Sequence, residues 1–325
     1  MKKRILGAAV LLTLMLSACS FGGSVMSAQY GDAQAYSSGA FSYDAGSVKR
    51  VFINWYCGSV TLTATEGDKL KVSESGADLP EEKALHWRQD GDALYVEFCA
   101  SGYVGTFRNA DKKLTVEIPE GIALNVVTTS AGITAQLGTQ EQVQLQTSSG
   151  TVEVTDGTVT GTLSVTTTSG GFLADRVEAK TLTAETTSGS VRLDYAKITE
   201  EIRLESTSGG IRVEQLLATG GEVSVRSSSG SVRLGELRSK ELTVKTTSGG
   251  VTLGIYACET VSVHTTSGSV RMERGPELGV SLSVSSTSGG FSGNGFKAQE
   301  NGRYIWGDGA CTVEIRTTSG SVTVK

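Results

Sequence analysis

The 325-residue chain holds only two histidines, His86 and His264. With the wide spacing of its cysteines, this argues against a zinc site. Gly-x-Ser-x-Gly, His-Glu-x-x-His and the phosphate-binding loop are all missing, and with them the commonest hydrolase, metalloprotease and nucleotide signatures. Polysaccharide lyases on parallel β-helices gather Asp, Lys and Arg in a groove, whereas the acidic residues here are spread along the chain. The expectation is a non-enzymatic protein with no cofactor. A cationic surplus is also missing, with Lys and Arg numbering 29 against 34 Asp and Glu. Nucleic acid or an acidic membrane surface is therefore not an expected partner. Aromatic residues are scarce in the middle of the chain, where Gly121 to Gly290 contains only Phe172, Tyr195 and Tyr256.

What is present is a repeat. A phrase of hydroxyl residues ending in Ser-Gly recurs with Gly150, Gly170, Gly189, Gly209, Gly230, Gly249, Gly268, Gly289 and Gly320 as anchors, and with Ala131 in that slot of the first copy. The intervals are 19 to 21 residues until the last, which is 31. Fixed spacing of this kind marks a solenoid. On either side of each anchor, apolar residues alternate with polar ones, the period of a β-strand. Inward columns are expected seven and five residues before the anchor (Leu182 and Ala184, Ile202 and Leu204, Val223 and Val225). Two more are expected two and four after it (Val191 and Leu193, Ile211 and Val213, Val232 and Leu234).

A single coil encloses too few apolar side chains to offset the entropy of ordering it, so coils must stack. Parallel rungs at about 4.8 Å would give each backbone group a partner above and below, and ten would make a rod of roughly 50 Å. The expected fold is all-β: a single parallel β-solenoid of about ten 20-residue rungs, right-handed by the crossover rule. The cross-section, two- or three-sided, stays open. At each corner the Thr and Ser hydroxyls are expected to satisfy local backbone donors. One outward Thr column remains, including Thr168, Thr187, Thr207, Thr247 and Thr266. The anchor Gly is expected to supply a backbone angle that other residues reach only with strain.

The first 18 residues read as a signal peptide: Lys2, Lys3 and Arg4, an apolar run from Ile5 to Leu16 too short to span a bilayer, then Ser17 and Ala18 before Cys19. This resembles a bacterial lipoprotein signal. It implies cleavage before Cys19, lipidation of that sulfur (a thioether diacylglycerol, with palmitate among the acyl chains) and a chain held on an extracytoplasmic membrane face. Residues 19–44, rich in Ser, Gly, Ala and Gln, read as a flexible tether.

Residues 45–120 keep strand signals but lose the hydroxyl corner. Val51, Ile53, Gly58, Val60 and Leu62 fit the repeat offsets with Asn54, Trp55, Tyr56 and Cys57 at the corner, a diverged first rung. Strands are expected at Leu70 with Val72 and at Leu114 to Ile118, with a hairpin from Ala84 to Phe98 turning at Asp90 and Gly91. Alternatively, Pro80 with Glu81 and Glu82 could open a helical turn. Ten of the 20 aromatic residues lie between Phe41 and Phe107, which suits an N-terminal cap over an open strand edge. A second reading makes Trp55, Tyr56 and Trp87 a sugar-stacking platform. Residues 121–325 are the solenoid proper, with an insertion at 293–311 that carries Phe296, Tyr304 and Trp306. The chain stops at Lys325 directly after a corner, so the final strand is expected to need shielding by this insertion or by another molecule.

With Cys19 lipidated, Cys57, Cys99, Cys258 and Cys311 remain, an even number suited to disulfides outside the cytoplasm. Cys57 with Cys99 is a plausible pair. Cys258 and Cys311 are expected two rungs apart, roughly 10 Å, beyond disulfide reach unless the insertion bends back. Arg192, Arg212, Arg233 and Arg271 stand three after their anchors on the outward face. They are either contacts for an anionic polymer such as an acidic cell-wall glycan, or a salt-bridged face with Asp194, Glu214 and Glu273.

The TTSGSVRL-type repeats, the INWYCGSV segment and the lipobox together resemble bacterial β-strand-repeat proteins known as putative adhesins, a family of unknown function. The resemblance covers residues 48–325 and implies a surface solenoid with a non-enzymatic role in adhesion, ligand binding or envelope sensing, with a cell-wall glycan, host glycan or surface protein as partner. The alternatives are a carbohydrate-active enzyme on the same scaffold and a passive envelope spacer or stress-module accessory.

Overall fold

The computed structural model describes residues 25–76, 79–107, 112–299 and 302–325. It is a β-solenoid in which successive coils lie in register through parallel pairing. Val191 pairs with Ile211 and Ile211 with Val232. On the other stretch of the coil, Leu182 pairs with Ile202 and Ile202 with Val223. All four expected columns are buried except in the outermost coil, where Val284 and Phe291 are partly exposed.

The coil holds more apolar surface than these four columns. Several central coils have a third inward run seven and nine residues after the anchor, as in Val177 with Ala179, Ala196 with Ile198 and Leu216 with Ala218. Bends separate it from the other runs. Asp156 and Arg176 take left-handed backbone at the first bend, and the register shifts at the second, between Val159 and Thr162. These positions vary between Val, Ala, Leu and Ile, and the bend breaks the alternation that would have revealed them.

The corner is built by a buried hydroxyl three residues before each anchor. Thr186 Oγ1 accepts from Gly189 N at 3.0 Å and donates to Gly170 O, one coil back, at 3.3 Å. Thr147, Thr246, Thr265 and Thr317 each accept from their own anchor N–H in the same way. The glycine requirement has a different cause from the one expected. The described anchors from Gly150 onward are not in the positive-φ region; instead, a Cβ on Gly189, Gly209 or Gly230 would overlap the carbonyl oxygen of the preceding anchor. Close stacking, not backbone angle, excludes every other residue there.

At the N-terminal end, the diverged first rung is present: Val126 pairs with Ile53 and Ile133 with Val60. Beyond it the pairing turns antiparallel, through the hairpin His86–Asp90 with Ala93–Glu97 and through Lys69–Gly76 against Lys112–Pro119. A 3-10 turn covers Glu81–Lys83. Residues 25–44, read from composition as part of a tether, instead carry strands: Ser37–Ser38 pairs with the hairpin and Phe41–Asp44 with Lys69–Gly76. Phe41 stacks on Trp87 at 4.1 Å, and that apolar contact holds the segment down. The signal peptide 1–18 and Cys19 lie outside the described residues.

The C-terminal end departs from chain order. The last coil, Cys311–Thr317 with Val322–Val324, lies between the coil of Thr260–Thr265 and Val270–Arg274 and the coil of Val280–Ser286 and Phe291–Gly293. The final strand is therefore interior and needs no shield. The insertion shields the coil before it, because Tyr304–Trp306 pairs antiparallel with Val280–Ser286 on the edge away from the last coil. Arg274 stacks its guanidinium over Trp306 at 3.6 Å and pins this hairpin.

Candidate ligand-binding groove

A hydroxyl that points inward three residues before each anchor leaves the residues on either side of it pointing out. Repeated along the rod, this forms two parallel ladders with a longitudinal groove of about 880 Å³ between them. One ladder is hydroxyl, including Thr168, Thr187, Thr207, Ser228, Thr247 and Thr266, all exposed. The other, four before the anchor, runs in spatial order Thr166, Glu185, Glu205, Arg226, Lys245, His264, Arg316 and Ser285. Both have the rung spacing, about 4.8 Å.

The charged ladder is polar along its length, with two carboxylates at one end and cationic residues toward the other. Glu185 and Glu205 are engaged by Arg203 at 3.5 and 3.0 Å, and Arg226 reaches Glu205 at 3.4 Å. Arg316 pairs with Glu314 on its own strand. Lys245 forms no ion pair among the described residues and is exposed. No Phe, Tyr or Trp lines the groove, so what it offers is chiefly hydrogen bonds and charge.

The residues singled out in the sequence fall elsewhere. Arg192, Arg212, Arg233 and Arg271 do form a ladder, interrupted by Thr252. Arg192 is held by Asp194 at 2.8 Å and Arg212 by Glu214, each within its own strand. The Asp194 hydrogen bond and charge also push the Arg192 guanidinium pKa up. That half of the ladder is a salt-bridged face; Arg271 and Glu273 make no such pair among the described residues.

Trp55 is 2% exposed and takes the inward slot that the hydroxyl fills in later coils, with Phe98 against it edge-on at 4.9 Å. It cannot serve as a stacking platform. Tyr56 and Trp87 are half-buried, packed against Phe98 and Phe41. Lys112 is fully buried in the same cluster, its ammonium 4.3 Å from the Phe98 ring centroid and 2.8 Å from Glu74. Desolvation lowers its pKa, against the pull of Glu74. The aromatic segment is thus a cap built around one internal ion pair.

Cys57 and Cys99 are both buried in this cap, and burial pushes the Cys99 thiol up to about 12. Cys258 and Cys311, expected two rungs apart, are neighbours because the last coil stacks directly on the coil of Cys258. Both are thiols, hydrogen-bonded to each other through sulfur. That bond draws Cys258 below the usual thiol range and raises Cys311.

Reading the position four before the anchor down the sequence reveals the mixed charged ladder, but in the order His264, Ser285, Arg316. Only the intercalated coil brings Arg316 next to His264. Among the described residues no group of three or more His, Cys, Asp or Glu is placed to share a metal ion, and no helix is long and apolar enough to cross a membrane.

Two crystal structures resemble the chain at low identity. One is a "putative cell adhesion protein" from Clostridium sporogenes, with 15% identity over 88% of this chain and 99% of that one and a TM-score of 0.21. The other is a "putative adhesin" from Bacteroides fragilis, with 10% identity over 88% and 95% and a TM-score of 0.35. Among curated proteins no sequence matches. Residues 48–325 match the Toastrack DUF4097 family model, and the chain belongs to that family.

Proposed function

We propose that this protein is a lipid-anchored, non-enzymatic rod on the extracytoplasmic membrane face that binds an extended polymer along its groove, an adhesion role in the broad sense. The anchor rests on the charged start, short apolar run and small residues before Cys19. Since the cap begins at residue 25, only Ser20 to Ser24 separate it from the lipidated cysteine, a reach under about 20 Å. The rod is thereby held close to the lipid. The observation that carries the binding reading is the groove itself, two unbroken polar ladders in register across eight coils.

The test uses the full chain expressed in a bacterium. Cys19→Ala is expected to release it from the membrane fraction and abolish incorporation of an alkyne-tagged fatty acid. Purified protein is expected to bind whole cells or cell-wall fragments, and Lys245→Glu to weaken that binding. Binding to no surface at all would favour a passive envelope spacer.

A further inference from the structure

On the outer faces of the solenoid, several arginines are paired with a carboxylate on the same or the next coil: Arg192 with Asp194, Arg203 with Glu205, Arg176 with Asp156. Over four successive coils the charged wall of the groove presents Arg226, Lys245, His264 and Arg316 in direct register, with no carboxylate among them. Arg226 and Lys245, cationic neighbours at about 4.8 Å, repel one another. Arg226 and Arg316 are relieved by Glu205 and Glu314 at their outer flanks, but Lys245 has no carboxylate partner among the described residues. Opposite stand the hydroxyls of Ser228, Thr247, Thr266 and Thr318.

Resting on the reading of the groove as a polymer site, we propose that the stretch from Arg226 to Arg316 binds an acidic polysaccharide, with Lys245 as the central contact to its carboxylates. Its footprint from first to last coil is about 14 Å.

Two features select this chemistry. A hydroxyl ladder both donates and accepts, which matches a sugar whose own hydroxyls do the same at every unit. Glu185 and Glu205, next along the same wall, repel a further acidic unit and end the footprint at Arg226. The chain as a whole is anionic, with a formal net charge of −5. Attraction must therefore come from short-range pairing in the groove rather than from the overall field, which makes binding sensitive to salt.

The experiment measures binding of the full chain to a long oligogalacturonate, to its methyl ester and to poly-glutamate. The expected result is binding of the oligogalacturonate alone, weakened by added salt and reduced about tenfold or more by Lys245→Glu. Arg212→Glu, on another face, is expected to leave it unchanged. Circular dichroism and the melting midpoint confirm that both exposed variants fold. Equal binding of the methyl ester or of poly-glutamate would overturn the proposal, as would oligogalacturonate binding indifferent to Lys245→Glu. If no glycan binds while cell-wall binding still depends on Lys245, the ligand class is wrong and the groove function stands. If cell-wall binding also ignores Lys245, both readings fall.

Discussion

His264 and Arg316 stand side by side on adjacent parallel strands, although a complete coil separates them in the sequence. The last coil is threaded between its two predecessors in the chain, so the groove wall depends on the final residues of the protein.

Because the last coil is interior, its core residues should cost as much to truncate as those of central coils. Val313→Ala and Val223→Ala are both fully buried positions and should each lower unfolding free energy by roughly 1–3 kcal/mol. Denaturant titration of the two variants checks this. A negligible effect at Val313 would mean the last coil is a loose edge.

Gly209→Ala should be strongly destabilising, by about 3 kcal/mol, because the added methyl meets the Gly189 carbonyl. Gly290→Ala, where nothing lies within 4 Å of the added carbon, should be nearly neutral. Comparing melting midpoints of the two separates close stacking from a general intolerance of side chains at the corner.

Cys258 and Cys311 should join under mild oxidation, two thiols losing two protons and two electrons to a disulfide reagent. With its pKa lowered by the hydrogen bond with Cys311, and being half-exposed, Cys258 should be the first cysteine alkylated at neutral pH. Mass spectrometry of labelled peptides reads both outcomes. Oxidised protein should melt higher, since the bond fastens the threaded coil to its neighbour. Preferential labelling of Cys99 would contradict the account.

Glu97 in the cap is 6% exposed, and burial pushes its carboxyl pKa up to about 7 despite the hydrogen bond from Asn54 at 2.8 Å. The folded protein therefore keeps a proton that the unfolded chain has released. Its contribution to stability is full below the ordinary value of 4.5 and is lost as pH rises to about 7. Glu97→Gln should flatten that slope and stabilise the protein above neutrality by on the order of 2–3 kcal/mol. Melting curves from pH 4 to 8 test it, and an unchanged slope would refute it.

The period-two apolar columns around each Gly and the 20-residue interval determined the solenoid, because stacked coils are the only way such short strands bury their inner faces. The Asn54 to Cys57 corner marked the diverged first rung, and the crowding of aromatics after Phe41 marked the cap. Composition misjudged residues 25–44, since the contacts that order them, such as Phe41 on Trp87, are made to strands that come much later in the chain.

What only the tertiary structure decided is which coil lies beside which. The offsets within the last coil are the same whether it is stacked outermost or threaded inward, so local pattern carries no information about its place. That choice was made by edge pairing: Tyr304–Trp306 takes the outer edge of Val280–Ser286 and leaves the inner one to Cys311–Thr317. From it follow the Cys258–Cys311 contact and the placing of Arg316 beside His264 in the groove wall. The repeat fixed every residue's position within a coil, and the competition for strand edges fixed the order of the coils.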